Sequence, residues 1–158
     1  PADFRGAYLS LSEWSMALYL IRHTRPKIPE GVCYGRLDLD VSDTFLVEAQ
    51  QVKGKIKETY SRVTVSPLRR CLKLAEYLNI PFEIDSRIQE MDFGDWEGKH
   101  WDEIEKSDLD FWMQDYVHRS PKNGEKMIEL NLRVMNFITK ILICIQLPFK
   151  ITKLKPSR

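Results

Sequence analysis

Leu18-Tyr19-Leu20-Ile21 runs straight into Arg22-His23-Thr24, and no other stretch limits the fold of this chain as sharply. Apolar residues ending in a β-branched Ile, cut off by polar ones and then by Pro26 and Pro29, predict a buried strand followed by a loop. The carboxyl end of that strand delivers a cation and an imidazole. Ligands of open α/β sheets gather outside the carboxyl ends of strands, so the placement is chemically suggestive. A strand that simply ends in polar residues reads the same way, and the rest of the chain has to decide.

The segments that follow alternate. Asp43 is a candidate N-cap, and Thr44 to Tyr60 carries Phe45, Leu46, Ala49, Val52 and Ile56 at helical spacing. Arg62 to Val65 predicts a second short strand, Leu68 to Leu78 a helix with Pro67 at its first turn, and Pro81 to Ile84 a weaker third strand. Strand and helix in alternation predict an α/β layer fold with a mostly parallel sheet. With 158 residues, 43% of them apolar, the chain is long enough for one domain with a core. Its 24 basic and 23 acidic residues leave a net charge of +1, so no global field points to nucleic acid or a membrane surface. No apolar run is long enough to span a bilayer. Three scattered cysteines, Cys33, Cys71 and Cys144, fit neither a disulfide framework nor a zinc site, which points to a reducing cytoplasm. Residues 1–15 read as an extension ahead of a native start at Met16, and 16–158 as a single domain.

Two strand ends carry similar groups. Ser66-Pro67-Leu68-Arg69-Arg70 follows the second strand as Arg22-His23 follows the first. If the strands are neighbours, an arginine at the start of the second helix faces Arg22 and His23, and free amides at that helix start add positive potential. Two guanidinium groups near an imidazole suit a dianionic oxyanion, most naturally a phosphoryl group. Spacing alone does not decide whether Arg69 or Arg70 faces inward. A third cluster, Glu90-Met-Asp-Phe-Gly-Asp-Trp-Glu-Gly98, is loop-like and rich in carboxylates. A carboxyl beside a phosphate's leaving oxygen holds its proton more tightly and can act as a general acid. Asp92, Asp95 and Glu97 read as solvated surface acids.

In order and spacing, Arg22-His23-Thr24, Ser66-Pro67-Leu68-Arg69-Arg70 and Glu90-Met-Asp-Phe-Gly94 resemble the histidine phosphatase superfamily. Cys33-Tyr-Gly-Arg-Leu-Asp38, Phe93-Gly-Asp-Trp-Glu-Gly98, Trp101-Asp-Glu-Ile104, and Asn123-Gly-Glu125 with Arg133-Val134 narrow the likeness to the alpha-ribazole phosphatases, over about residues 16 to 138. The resemblance implies a phosphoglycerate mutase-like three-layer α/β/α sandwich. It implies a phosphomonoesterase acting through a phosphohistidine on alpha-ribazole 5'-phosphate or adenosylcobalamin 5'-phosphate, in cobalamin nucleotide-loop assembly. Carried over by position, His23 is the nucleophile, Arg22 and Arg70 clamp the phosphoryl oxygens, and Glu90 protonates the leaving alcohol. Tyr34 and Gly35 fall where the family lines its substrate pocket. No metal or cofactor is implied, and the partner is a small phosphate ester rather than nucleic acid or membrane.

The chain departs from the family in one respect. Its members carry a second catalytic histidine in a His-Gly pair near the C-terminal end, whereas this sequence holds only His23, His100 and His118. Both of the others read as surface residues. Lys126 to Leu142 predicts a helix, after which the family pattern dissolves into an apolar run and a tail with four basic residues and no acid. The text reads as a family member lacking C-terminal elements. Three functions follow as expectations: a phosphatase of the alpha-ribazole type, a non-catalytic phosphate-ligand binder or remnant, and a mutase or other phosphatase of the superfamily. Trp101, Phe111, Trp112 and Tyr116 are equally suited to an apolar wall for a flat ring and to helix packing.

Overall fold

The structure is a computed structural model that describes residues 18–56 and 60–152, the last ten of these as helix backbone alone. The expected extension at 1–15, the start at Met16 and the end of the basic tail lie outside the described residues.

Helix α1 spans Phe45–Lys55 and stops short of the predicted end at Tyr60, with Ile56 already extended. Its start differs too. Thr44 is the capping residue, with Ser42 and Glu48 on its hydroxyl, and Asp43 is exposed. Strand β1 (Thr64–Val65) and strand β2 (Glu83–Ile84) pair in parallel, with Glu83 N donating to Val63 O and Asp85 N to Val65 O. Between them runs α2 (Arg69–Leu78), which ends on Asn79 in the left-handed conformation at φ 55°. Asparagine tolerates that region and so stops the helix there. This strand–helix–parallel strand unit is the predicted α/β pattern in its smallest form. Buried Ala49 of α1 and Leu74 and Ala75 of α2 carry the helix packing, with Phe45 edge-on to Tyr77.

The sheet is where sequence and structure part. Leu18 to Ile21 is not a strand: its side chains stand exposed, Leu20 at 88%. An apolar run becomes a buried strand only when ladders on its flanks take up its peptide groups. Among the described residues β1 and β2 pair only with each other, so no such ladder borders it.

Beyond β2 the chain is irregular until α3 (Lys106–Gln114) and α4 (Met127–Thr152), with single 3₁₀ turns at Ser86–Ile88, Gly94–Trp96 and Trp101–Glu103. A second core forms here. Cys33, Trp96 and Ile104 are buried against Phe93, Leu109 and Trp112. Helix α4 packs on the Ser86–Ile88 turn, and Arg87 stacks over Phe137. No described helix is long and apolar enough to cross a membrane.

Candidate active site

The long loop from Arg25 to Asp43 is fastened along one side of α2. Asp38 accepts a hydrogen bond from Arg69 N (2.7 Å), taking up one of the amides the helix start would otherwise leave free. Lys73, one turn on, reaches Asp40 at 2.5 Å. Between them Arg70 turns inward and is only 1% exposed. Its Nη1 donates to Leu37 O (2.9 Å), its Nη2 to Gly35 O (2.6 Å), and its Nε to His23 Nε2 (3.3 Å). Which arginine faces the imidazole is thereby decided. Arg70 does, while Arg69 lies exposed beside the Asp38 carboxylate.

His23 is half-buried, with Nδ1 2.7 Å from Thr24 O. A proton on Nδ1 satisfies that carbonyl and leaves the Nε2 lone pair turned toward Arg70, so both contacts select one tautomer. Burial, then the positive charges of Arg70 and Arg22, lower the His23 pKa from 6.5, against opposing contributions from the Thr24 carbonyl and Glu90. The imidazole is therefore held neutral near pH 7, the state a nitrogen nucleophile needs. Thr24 and Ser66, at the ends of the two converging segments, are buried, and the Thr24 hydroxyl finds no partner among the described residues.

The Glu90–Gly98 segment folds back onto the same loop. Glu97 accepts hydrogen bonds from Arg36 N (2.8 Å), Phe93 N (3.0 Å) and Leu37 N. Asp92 accepts from Gly94 N (2.8 Å) and pairs with Arg36. Neither is the solvated acid that composition suggested, because unpaired loop amides attract carboxylates regardless of how polar the local sequence is. Only Asp95 is exposed, and it holds Asn123. Gly35 has to be glycine, since a Cβ there would run into the Met91 carbonyl oxygen and the Phe93 ring.

The expected site residues come together unevenly. His23, Arg70, Tyr34 and Gly35 form one cluster, with the Arg70 guanidinium 5.5 Å from the Tyr34 ring centre. Glu90 is exposed, its Oε1 on Met91 N (3.0 Å), and close enough for its charge to act on His23. Arg22 is exposed and reaches His23 only through its charge. His100 caps the Trp101–Glu103 turn by accepting from Asp102 N, and His118 contacts Asp115. The aromatic residues pack: Trp112 meets Phe93, Trp96 and Tyr116, while Phe111 stacks under Arg119 at 3.9 Å. Asp38 and Glu97, which fasten the loop, were not foreseen. Asp38 stands one residue from the bend at Leu37 and Glu97 one residue from Gly98 in the following turn, and both bind backbone amides.

Comparison with known proteins supplies the family. Residues 18–143 match the model of the histidine phosphatase superfamily (branch 1). The chain is 32% identical over 133 residues to a Hydrogenobacter thermophilus protein named "Putative phosphoserine phosphatase 2", covering 78% of this chain and 66% of that one. It is 29% identical over 136 residues to the adenosylcobalamin/alpha-ribazole phosphatase of Escherichia coli, covering 80% and 66%. Among solved structures, the alpha-ribazole phosphatase of Shigella flexneri superposes with a TM-score of 0.69 at 26% identity, over 77% of this chain and 64% of that one. The chain thus spans about two thirds of the length of the relatives it matches. From its matched residues and its fold, this chain belongs to the histidine phosphatase superfamily.

Proposed function

We propose that the chain is a phosphomonoesterase that works through a phosphohistidine on His23. The observation that carries the reading is the His23–Arg70 pair: a neutral imidazole whose Nε2 lone pair faces a buried guanidinium. In the first step Nε2 attacks phosphorus as the bond to the leaving oxygen breaks. Glu90, as the carboxylic acid, hands that oxygen its proton. Arg70 and Arg22 hold the phosphoryl oxygens as charge builds on them. In the second step water attacks phosphorus, the P–N bond breaks, and Glu90 takes the water's proton. Alcohol and inorganic phosphate leave, and His23 is restored. Two Arg70 N–H groups are not engaged by the loop carbonyls or His23, and these are the donors an oxyanion would use.

The substrate we favour is alpha-ribazole 5'-phosphate, on the likeness of the Cys33–Asp38 and Phe93–Gly98 segments to that branch. The test is phosphate release from alpha-ribazole 5'-phosphate, O-phosphoserine and p-nitrophenyl phosphate, by this chain and by His23→Ala. Release that the substitution abolishes, fastest on alpha-ribazole 5'-phosphate, is the expected result. Release that survives it would show that another group is the nucleophile.

One observation favours a second reading, a phosphate-ligand binder. Within this sequence neither remaining histidine lies with the cluster, since His100 and His118 are engaged at turns of their own. Saturable binding of a phosphate ester without any release identifies that case.

A further inference from the structure

Arg133 of α4 sits behind the segment that presents Glu90. Its side chain is 16% exposed, and all five of its N–H donors are engaged. Nη1 donates to Arg87 O and Gln89 O, each at 2.7 Å, and Nη2 to Glu90 O at 3.0 Å. The remaining two go to one carboxylate, Nε to Glu125 Oε1 (2.6 Å) and Nη2 to Glu125 Oε2 (2.8 Å). Three carbonyls within four residues, ending at Glu90 itself, are thus gathered by one rigid planar group. The stretch from Arg87 to Glu90 has no ladder of its own beyond a 3₁₀ turn; Arg87 is held by Asp85, Asn136 and Phe137, and past it Arg133 gathers the carbonyls that lead to Glu90.

Glu125 extends the arrangement in the other direction. Its N–H donates to Asp92 O (2.8 Å), and its carboxylate accepts from Asp92 N (3.4 Å) and Arg36 Nη2 (3.3 Å). Arg36 belongs to the loop whose Gly35 and Leu37 carbonyls hold Arg70. Burial disfavours the Glu125 charge, but Arg133, Arg36 and Asp92 N together bring its pKa below the ordinary value. The pair is therefore ionised at neutral pH and keeps its forked geometry.

We infer that Arg133, locked by Glu125, is a positioning residue that sets the backbone from which Glu90 reaches the leaving oxygen. This deepens the phosphatase reading and rests on it. Arg133 itself does not touch the reacting atoms. Its effect runs through the placement of the proton donor, and a proton donor matters in proportion to the basicity of the group that leaves. An alkoxide needs the proton, whereas p-nitrophenolate leaves without it. A merely structural role would lower both rates alike.

The experiment measures kcat and KM on β-glycerol phosphate and p-nitrophenyl phosphate for the unmodified chain, Glu90→Gln, Arg133→Gln, Arg133→Lys and Arg133→Gln with Glu90→Gln. Loss of a general acid costs about 10²–10⁴-fold, so Glu90→Gln should fall by at least about 100-fold on the alkyl ester and far less on the aryl one. Arg133→Gln should show the same selectivity, with a kcat loss of about tenfold or more on the alkyl ester and little change in KM, as displacement of a catalytic group by an ångström predicts. Arg133→Lys, which keeps the charge and three donors, should lie between it and the parent. The double variant should be no worse than Glu90→Gln alone. Equal losses on both esters for Arg133→Gln, or additive losses in the double variant, overturn the positioning role while leaving the phosphatase reading intact. Absence of leaving-group selectivity in Glu90→Gln removes Glu90 as the acid, and the inference with it. An unmodified chain that turns over neither ester, nor alpha-ribazole 5'-phosphate as the alkyl ester in their place, removes both. Should Arg133→Gln not fold, Glu125→Gln applies the same test by unlocking the fork, with the same two outcomes.

Discussion

Replacing Arg70 with Met removes the guanidinium and keeps the apolar stem, so it isolates what the buried charge does for the fold. The Gly35 carbonyl, buried at its contact with Nη2, loses that donor, at a cost of about 1–3 kcal/mol. The Leu37 carbonyl is partly exposed and recovers part of its loss from water. The stacking of Arg70 over Tyr34 adds about 0.5–1 kcal/mol. Against these, a cation that is 1% exposed no longer has to be stripped of water, which offsets part of the sum. A net loss of about 2–4 kcal/mol follows, a large share of the about 5–15 kcal/mol that holds such a domain folded. With a urea dependence of about 2 kcal/mol per molar, the middle of the usual range, the midpoint should fall by roughly 1–2 M with an unchanged slope. Equilibrium unfolding followed by circular dichroism at neutral pH reads this directly. A midpoint within about 0.3 M of the parent, inside the scatter of such extrapolations, would refute the reasoning, because the loop carbonyls would then not depend on Arg70 in solution.

Two other outcomes follow from the titrating groups. Because burial and the two arginines lower the His23 pKa, the acid limb of kcat/KM should have its midpoint below 6.5, and an NMR titration of the imidazole should give the same value. Stability shifts with the same sign: the unfolded chain takes up the proton first, so stability declines as pH falls from about 6.5 toward the lower folded value. A midpoint at or above 6.5 would contradict the burial and charge placement. Burial, then the Glu97 charge, push the Cys33 thiol up to about 12, so in the native chain it should resist iodoacetamide at neutral pH and react once unfolded. Mass spectrometry locates the label, and native labelling of Cys33 at the rate of a free thiol would count against its buried position.

What the sequence could reveal depended on how local the cause was. Helix α2 was legible because Pro67 before it and amphipathic spacing along it are local, and so was the parallel pairing of β1 with β2. The strand at Leu18 to Ile21 was misread because its burial depends on neighbours that an apolar run does not encode. Arg70 could be shortlisted from its place at a helix start, but only the path of the Gly35–Leu37 carbonyls separates it from Arg69. Glu97 and Asp92 looked like surface acids because their partners are backbone amides, and an amide leaves no letter in the sequence. Glu90 and Arg22 were named from their motif, and the same exposure that makes them reachable leaves them few contacts to reveal a role.

The grip of the loop on Arg70 also bears on affinity. A long cationic side chain on a free surface gives up about 1.5–2 kcal/mol of rotamer entropy when a ligand immobilises it. Here that ordering is already complete, since two carbonyls and an imidazole hold the guanidinium in place before any anion arrives. An oxyanion docking on the remaining N–H groups meets a host whose conformational entropy has been lost during folding, worth about tenfold or more in dissociation constant relative to a mobile arginine. The cost is moved from the binding step to the stability of the loop.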